Sequence, residues 1–274
     1  MEGTTDNLRK LYHYTTVDTL LNILGNHSLR FNNLTLMDDP DEQESKELKN
    51  AGRWDFISSW TILRDNRMMF ATYGQNYRGV CISLPREPFD VSVGNPYKNN
   101  ELINSIDKSK IKIEPFKYTV GIEKYIDKYN FVFYPSTVET ILVKYSDDEA
   151  KLYPSIIANN KKRITYSDEL LGRYKDTSWS FQKEVRYRLR PTQLVSNIVN
   201  INSDLDFIKF EQQMMMNKLV NKCPVDYMDI PIDLKGLEII FGSKISQNNI
   251  KKIKDVINQQ NLTVTISRSM LKVK

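Results

Sequence analysis

Leu11-Tyr12-His13-Tyr14-Thr15-Thr16-Val17-Asp18-Thr19-Leu20-Leu21-Asn22-Ile23-Leu24-Gly25 changes its periodicity part-way along, and that change decides the fold class. Leu11 to Tyr14 reads as a short strand. Thr16 stands where a helix needs its N-cap, because its hydroxyl can accept from a backbone N–H that the first turn leaves unpaired. Val17, Leu20, Leu21 and Leu24 then recur at helical spacing, and Gly25 is expected to stop the helix. Leu29-Arg30-Phe31 reads as a second short strand. The first thirty residues are therefore strand, helix, strand, with the His13 imidazole at an element edge.

Outward from this unit, Phe56 to Trp60 reads as a strand and Met68 to Tyr73 as a short helix closed by Gly74. Val80, Ile82 and Leu84 alternate with Gly79, Cys81 and Ser83, the period of a strand. Val185, Tyr187 and Leu189 alternate with Glu184, Arg186, Arg188 and Arg190, giving a strand with one apolar and one charged face. Leu237 to Phe241 as strand, Gly242 as turn, Ile250, Ile253, Val256 and Ile257 as a helix stripe, and Leu262 to Ile266 as strand complete an α+β pattern. Between about 99 and 175, Tyr125, Tyr129 and Val132 at helical spacing predict a mostly helical insertion. No glycine-serine or proline-rich linker flanks it, so 1–274 is read as one domain. The acidic run Asp38 to Glu47 predicts a loop through Pro40 into a helix whose carboxylates complement the helix dipole. It lacks the glycine of a calcium loop.

A chain of 274 residues can bury a sizeable core, and 40% hydrophobic with 27% charged residues argues against disorder. No run approaches the roughly 20 apolar residues of a membrane helix, and the first residues lack the apolar segment of a signal peptide. The expected location is cytoplasmic, with no membrane partner. Two cysteines and two histidines without ligand spacing leave no expectation of a metal site, and Cys81, inside an apolar run, is expected to be a buried structural thiol. The net charge of +5 is spread over Lys161-Lys162-Arg163, Arg186, Arg188, Arg190 and Lys251, Lys252, Lys254. That is a weak hint of an anionic partner such as nucleic acid, and a solvated basic surface is the plainer explanation. Neither a helix-turn-helix nor an aromatic-basic RNA motif is present.

Six short motifs follow one another in order. They are Leu11 to Thr15, Leu29-Arg30-Phe31, Asp38-Asp39-Pro40-Asp41-Glu42, Tyr73-Gly74-Gln75-Asn76-Tyr77-Arg78-Gly79-Val80, Phe181-Gln182-Lys183-Glu184-Val185-Arg186 and Ile239-Ile240-Phe241-Gly242. Together they resemble the bacterial domain-of-unknown-function family 2971, some members of which are linked to abortive infection and phage defence. The resemblance spans Leu11 to about Ile257. Where the family pattern usually has asparagine this chain has Asp38, and where it has a tryptophan shortly before the tyrosine this chain has Phe70.

The opening is also similar, more distantly, to ADP-ribosyltransferases of the His-Tyr-Glu type, DNA-modifying toxins among them. This resemblance implies a split β-sheet core and NAD as co-substrate. It carries ribose and adenosine binding onto His13, with Tyr14 and Thr15 beside it, nicotinamide stacking onto Tyr73, and the hold on the nicotinamide-ribose hydroxyl onto Glu184. The activity implied is mono-ADP-ribosyl transfer to a nucleic acid or protein acceptor, by a toxin or phage-defence effector that has a cognate antitoxin as partner.

That chemistry makes modest demands. Breaking the bond between nicotinamide and ribose leaves positive charge on the sugar, so a site must hold NAD by its hydroxyls and set a carboxylate near the cation. Glu184, with Arg186 and Arg188 on its strand face, is expected to stay ionised. Arg30 or Arg186 could meet the pyrophosphate by bidentate contacts. His13, Tyr73 and Glu184 should then converge on one cleft. Each has a plainer role open to it: a histidine bonded to a backbone carbonyl, a core tyrosine, a salt-bridge glutamate. Two other functions stay open, a catalytically inactive binding or sensor module of a defence system and an NAD glycohydrolase. A degenerate relative should lack one of the three polar positions, and this chain has them all.

Overall fold

A computed structural model describes residues 10–105, 114–159, 164–194 and 204–273. The chain opens with β1 (Lys10–Thr15), α1 (Val17–Asn26), β2 (Ser28–Asn33), β3 (Phe56–Thr61), α2 (Arg67–Thr72) and β4 (Val80–Pro85). Thr16 caps α1 as expected, its hydroxyl accepting from the Thr19 N–H. The stop comes two residues later than expected. Gly25 stays inside the helix, and His27 takes the left-handed C-cap conformation at φ 48° that ends it. Four α1 residues, Val17, Leu20, Ile23 and Leu24, are buried against the sheet, while Leu21 is only half-buried.

The segment expected to be a mostly helical insertion is a correction to the sequence reading. From residue 91 to 175 the described chain forms β5 (Val91–Gly94), α3 (Glu101–Ser105), β6 (Phe116–Thr119), α4 (Glu123–Tyr129), β7 (Phe131–Phe133), β8 (Glu139–Leu142), β9 (Lys144–Tyr145), α5 (Glu149–Leu152), β10 (Ile157–Asn159), β11 (Ile164–Tyr166) and β12 (Tyr174–Lys175). Tyr125 and Tyr129 do share a helix, but Asn130 at φ 56° ends it after seven residues. The remainder follows as β13 (Glu184–Leu189), β14 (Pro191–Gln193), α6 (Asp204–Val220), β15 (Tyr227–Pro231), β16 (Glu238–Phe241), α7 (Gln247–Gln259) and β17 (Thr265–Arg268). The fold class is α+β, with one large mixed sheet and several helices.

Nine strands make that sheet, in the order β15-β2-β3-β1-β4-β16-β17, with β13 on β3 and β8 on β13. All its pairings are antiparallel except β16 with β17. Strand β3 is the branch point. One edge pairs with β13 along its whole length, from Glu184↔Thr61 to Leu189↔Phe56. The other edge is shared. Strand β2 pairs only at Phe56 and Ile57, and β1 only at Thr61. Between these points β1 and β2 diverge, and the sheet is split.

Both faces of the sheet are covered at its centre, where β3, β4 and β13 are buried on both sides, while the edge strand β17 is exposed. Strand β4 sends Val80, Ile82 and Leu84 into the main core beneath α1 and α7, and Cys81 into a second cluster with Tyr14, Met69, Phe70, Tyr77 and Ile240 under α2. Cys81 is a buried free thiol, and burial pushes it up to about 12. Gly242 is required where β16 leaves the sheet, because a Cβ there would lie 2.3 Å from the Tyr77 carbonyl oxygen. No helix is long and apolar enough to cross a membrane among the described residues.

The charged groups divide differently from the sequence reading. Asp38 to Glu47 forms a single 3₁₀ turn at Asp41–Gln43 rather than a helix, and Glu42 is buried instead of solvated. Arg186 and Arg188 are fully buried in ion pairs, so they add nothing to a basic surface. Lys251, Lys252 and Lys254 are exposed on α7, and Lys161-Lys162-Arg163 lies outside the described residues.

Candidate functional site

The split in the sheet opens into a cleft of about 590 Å³, within the usual ~300–1,000 Å³ of ligand sites. Its walls come from Tyr12 to Thr15 of β1, Thr19, Asn22, Ile23 and Asn26 of α1, Ser28, Leu29, Arg30 and Asn32 of β2, and Ile57 to Trp60 of β3. Its far end is closed by Asp38, Tyr73, Lys175, Gln182 and Glu184. The residues singled out from sequence meet here. His13, Tyr14, Thr15, Arg30, Tyr73 and Glu184 all line it, although they come from both ends of the chain.

His13 sits where β1 parts from β3. Its Nδ1 lies 2.8 Å from the Ser59 carbonyl oxygen, on a stretch of β3 edge where neither β1 nor β2 pairs. A carbonyl can only accept, so Nδ1 carries the proton and donates. Burial lowers the imidazole pKa, the Ser59 bond only partly offsetting it, so the ring is neutral at pH 7 and Nε2 is an acceptor. The Trp60 ring, 5.2 Å away centroid to centroid, fixes its plane. One consequence can be checked directly. In an NMR titration the His13 ring signals should keep a single Nδ1–H tautomer and titrate below 6.5; titration above 6.5 would contradict this placement.

Tyr73 caps the C-terminus of α2, its N–H donating to the Met69 carbonyl. Its hydroxyl donates to Asp38 Oδ2 and accepts from Gln182 Nε2, each at 2.5 Å. Burial and the Asp38 carboxylate both push the phenol pKa up, so Tyr73 acts as a neutral hydroxyl.

Glu184 begins β13 and is only 5% exposed. The period of two puts it on the same face as Arg186, whose Nε donates to Oε1 at 2.7 Å and whose second nitrogen reaches Oε2 at 3.1 Å. Lys175 Nζ, 3.2 Å from Oε2, also donates to Gln182 Oε1 at 3.1 Å. Burial alone would raise the carboxyl pKa, but Arg186 and Lys175 outweigh it and hold Glu184 at about 2. The charge expected from sequence is therefore assigned, but its second source is Lys175 rather than Arg188, which pairs with Asp55. The stability that this ionised pair supplies is present above about 4.5 and is lost as pH falls toward 2.

Arg186 does not take the role expected of it. It stands behind Glu184, outside the cleft lining, with its guanidinium filled by Glu184, Glu42 and the Gly172 carbonyl. Arg30 does line the cleft, but its Nε and one terminal nitrogen are held by Asp229 at 2.9 and 3.1 Å, over the Tyr227 ring. The residues that the sequence reading missed are Lys175, Gln182, Ser59 and the buried Glu42. Burial lifts Glu42 to about 7, against the pull of Arg186 and Lys175. Among the described residues no group of three or more His, Cys, Asp or Glu is placed to hold a metal ion.

The model of the family described as "Protein of unknown function (DUF2971)" matches residues 69–187, which supports that domain family for the chain. The matched stretch carries Tyr73, Lys175, Gln182, Glu184 and Arg186, whereas His13, Arg30 and Asp38 precede it. No curated protein and no solved structure matches the chain. The family match has no bearing on abortive infection or on ADP-ribosyl transfer.

Proposed function

We propose that the cleft binds NAD and that the protein transfers ADP-ribose from it to a macromolecular acceptor. What supports this above all is the convergence of His13, Tyr73 and Glu184 on one cleft at the split of the sheet. In this reading the acceptor nitrogen of neutral His13 takes a ribose hydroxyl, the Tyr73 ring flanks the nicotinamide, and Glu184 faces the sugar as it becomes cationic. Thr15 and Tyr14 continue the wall beside His13, and the split fits an ADP-ribosyltransferase-like core. A carboxylate held ionised by fixed cations needs no reorganisation when the charge appears, which is where such a group lowers a barrier. A toxin or phage-defence role acting in the cytoplasm, with a cognate antitoxin, follows from the family resemblance and belongs to the same proposal.

A second reading, an inactive binding or sensor module, draws on one observation: both Glu184 oxygens already accept from Arg186, and Lys175 takes a further site. Nicotinamide release separates the two. Incubation of the protein with NAD and cell extract should release nicotinamide and leave ADP-ribose on RNA, DNA or protein, read by mass spectrometry. Binding of NAD without release would return the case to the module, and release with free ADP-ribose as the sole product would make it an NAD glycohydrolase.

In this reading the cleft's charges favour NAD over its phosphorylated form. Its basic side chains, Arg30 and Lys175, both engage carboxylates, so an added ribose phosphate would meet Asp229 or Asp38 close to either cation. Calorimetry should show NAD binding about tenfold or more tighter than its phosphorylated form, a difference of about 1.4 kcal/mol. Tighter binding of the phosphorylated form would contradict this.

A further inference from the structure

We propose that Asp38 is the base that takes the acceptor's proton, and that the acceptor group is accordingly an O–H or N–H group rather than a carboxylate. The inference rests on the transfer reaction above. Asp38 lies at the same end of the cleft as Glu184 and is its opposite in setting. Its side chain is 43% exposed, whereas Glu184 is 5% exposed and closed in by Arg186 and Lys175. The two carboxylates share one ammonium, Lys175 Nζ, at 3.7 Å from Asp38 and 3.2 Å from Glu184. Asp38 Oδ2 accepts from the Tyr73 hydroxyl, which fixes the carboxylate against the cleft wall.

Two acidic side chains in unlike environments divide acid-base labour. Glu184, fully engaged by cations, can stabilise positive charge but is a poor proton acceptor. Asp38, open to water, can accept a proton and return it to solvent. A lone pair of the acceptor atom forms the bond to the anomeric carbon of the nicotinamide ribose while the bond from that carbon to the pyridinium nitrogen breaks. The bonding pair goes to that nitrogen, so nicotinamide leaves neutral, and the acceptor's proton passes to Asp38. An acceptor already anionic, such as a carboxylate, has no proton to give and no use for this base, which is why the geometry points to an O–H or N–H acceptor.

Asp38→Asn tests the idea, since the amide oxygen can still accept from Tyr73 but takes no proton. Nicotinamide release from NAD in water, with and without sodium azide, is measured for wild type, Asp38→Asn and Glu184→Gln. With water as acceptor, Asp38→Asn should lower kcat about a hundredfold, with KM for NAD changed by no more than about twofold. Azide attacks without losing a proton, so it should restore release in Asp38→Asn. Conjugates formed by wild type in cell extract should survive neutral hydroxylamine, which cleaves esters of carboxylates. Wild-type kcat in Asp38→Asn beside an inactive Glu184→Gln would overturn the assignment and leave the transfer reading standing. A loss that azide does not restore, or conjugates cleaved by hydroxylamine, would also overturn it. Absence of release by wild type would overturn both.

Discussion

Glu184→Gln should abolish nicotinamide release, with kcat falling on the order of a hundredfold or more while NAD affinity changes little. The amide is nearly isosteric and can still bond a ribose hydroxyl, but it cannot offset charge on the sugar as nicotinamide departs. The loss therefore falls on the transition state. The same change also disturbs the fold. Glu184 lies between buried Arg186 and Lys175, and without its charge only buried Glu42 and half-exposed Asp38 remain to balance them. Breaking a buried pair costs about 3 kcal/mol or more, well above the ~1 kcal/mol of a surface pair. Thermal melting fixes the temperature at which both proteins stay folded, and release is compared there. Equal release from both, above background, would remove Glu184 from the mechanism.

Arg188→Met should be the most destabilising single change in the other buried network. Arg188 is 1% exposed, and its Nε donates to Asp55 Oδ1 at 2.7 Å while its terminal nitrogens reach the Glu169 and Asp168 carbonyls at 2.9 and 2.7 Å. Asp55 has a second oxygen, Oδ2, that is buried without a partner, and burial already lifts the carboxyl to about 6 against the pull of Arg188. Removal of the guanidinium leaves this charge uncompensated, at a cost of about 3–5 kcal/mol. For a domain of this size that lowers Tm by about 10 °C. An acid whose folded pKa is raised loses stability as pH rises through that value, so the deficit should shrink toward pH 5, where Asp55 protonates. Asp55→Asn in the same chain should recover part of the loss. A melting shift equal to about 1 kcal/mol or less, or one unchanged by pH, would contradict the account.

Much of the sheet was legible because its strands are long enough to show a period. Alternation marked β4 and β13, and the stripe Ile250, Ile253, Val256, Ile257 marked α7, whose Ile253 and Ile257 are buried. The middle segment was not legible. Strands of two to four residues, such as β9 and β12, cannot display alternation, and the tyrosines of α4 lend their spacing to the whole region. The acidic run misled for a different reason. Glu42 turns inward because Arg186 awaits it 144 residues later, and nothing local to Asp38–Glu47 carries that information.

The candidate site divides along the same line. Motif order brought His13, Tyr73 and Glu184 together, but a motif does not say which side chains are already spoken for. The strand period placed Glu184 and Arg186 on one face, and that spacing was a signal for their pairing. It removes Arg186 from any ligand. Lys175 had no signal of its own, since β12 is two residues long and is placed by its parallel pairing with β9.

The measurement that bears most directly on the account is calorimetric titration of NAD into the wild-type protein and into His13→Ala. The loss of the bond to Ser59 should cost the variant about 1–3 kcal/mol of stability, so both are titrated well below their melting temperatures. The cleft between β1 and β2 should give one site per chain in the wild type, weakened about tenfold or more in His13→Ala. No binding by the wild type, or equal binding by a folded His13→Ala, would contradict the placement of NAD in the split of the sheet.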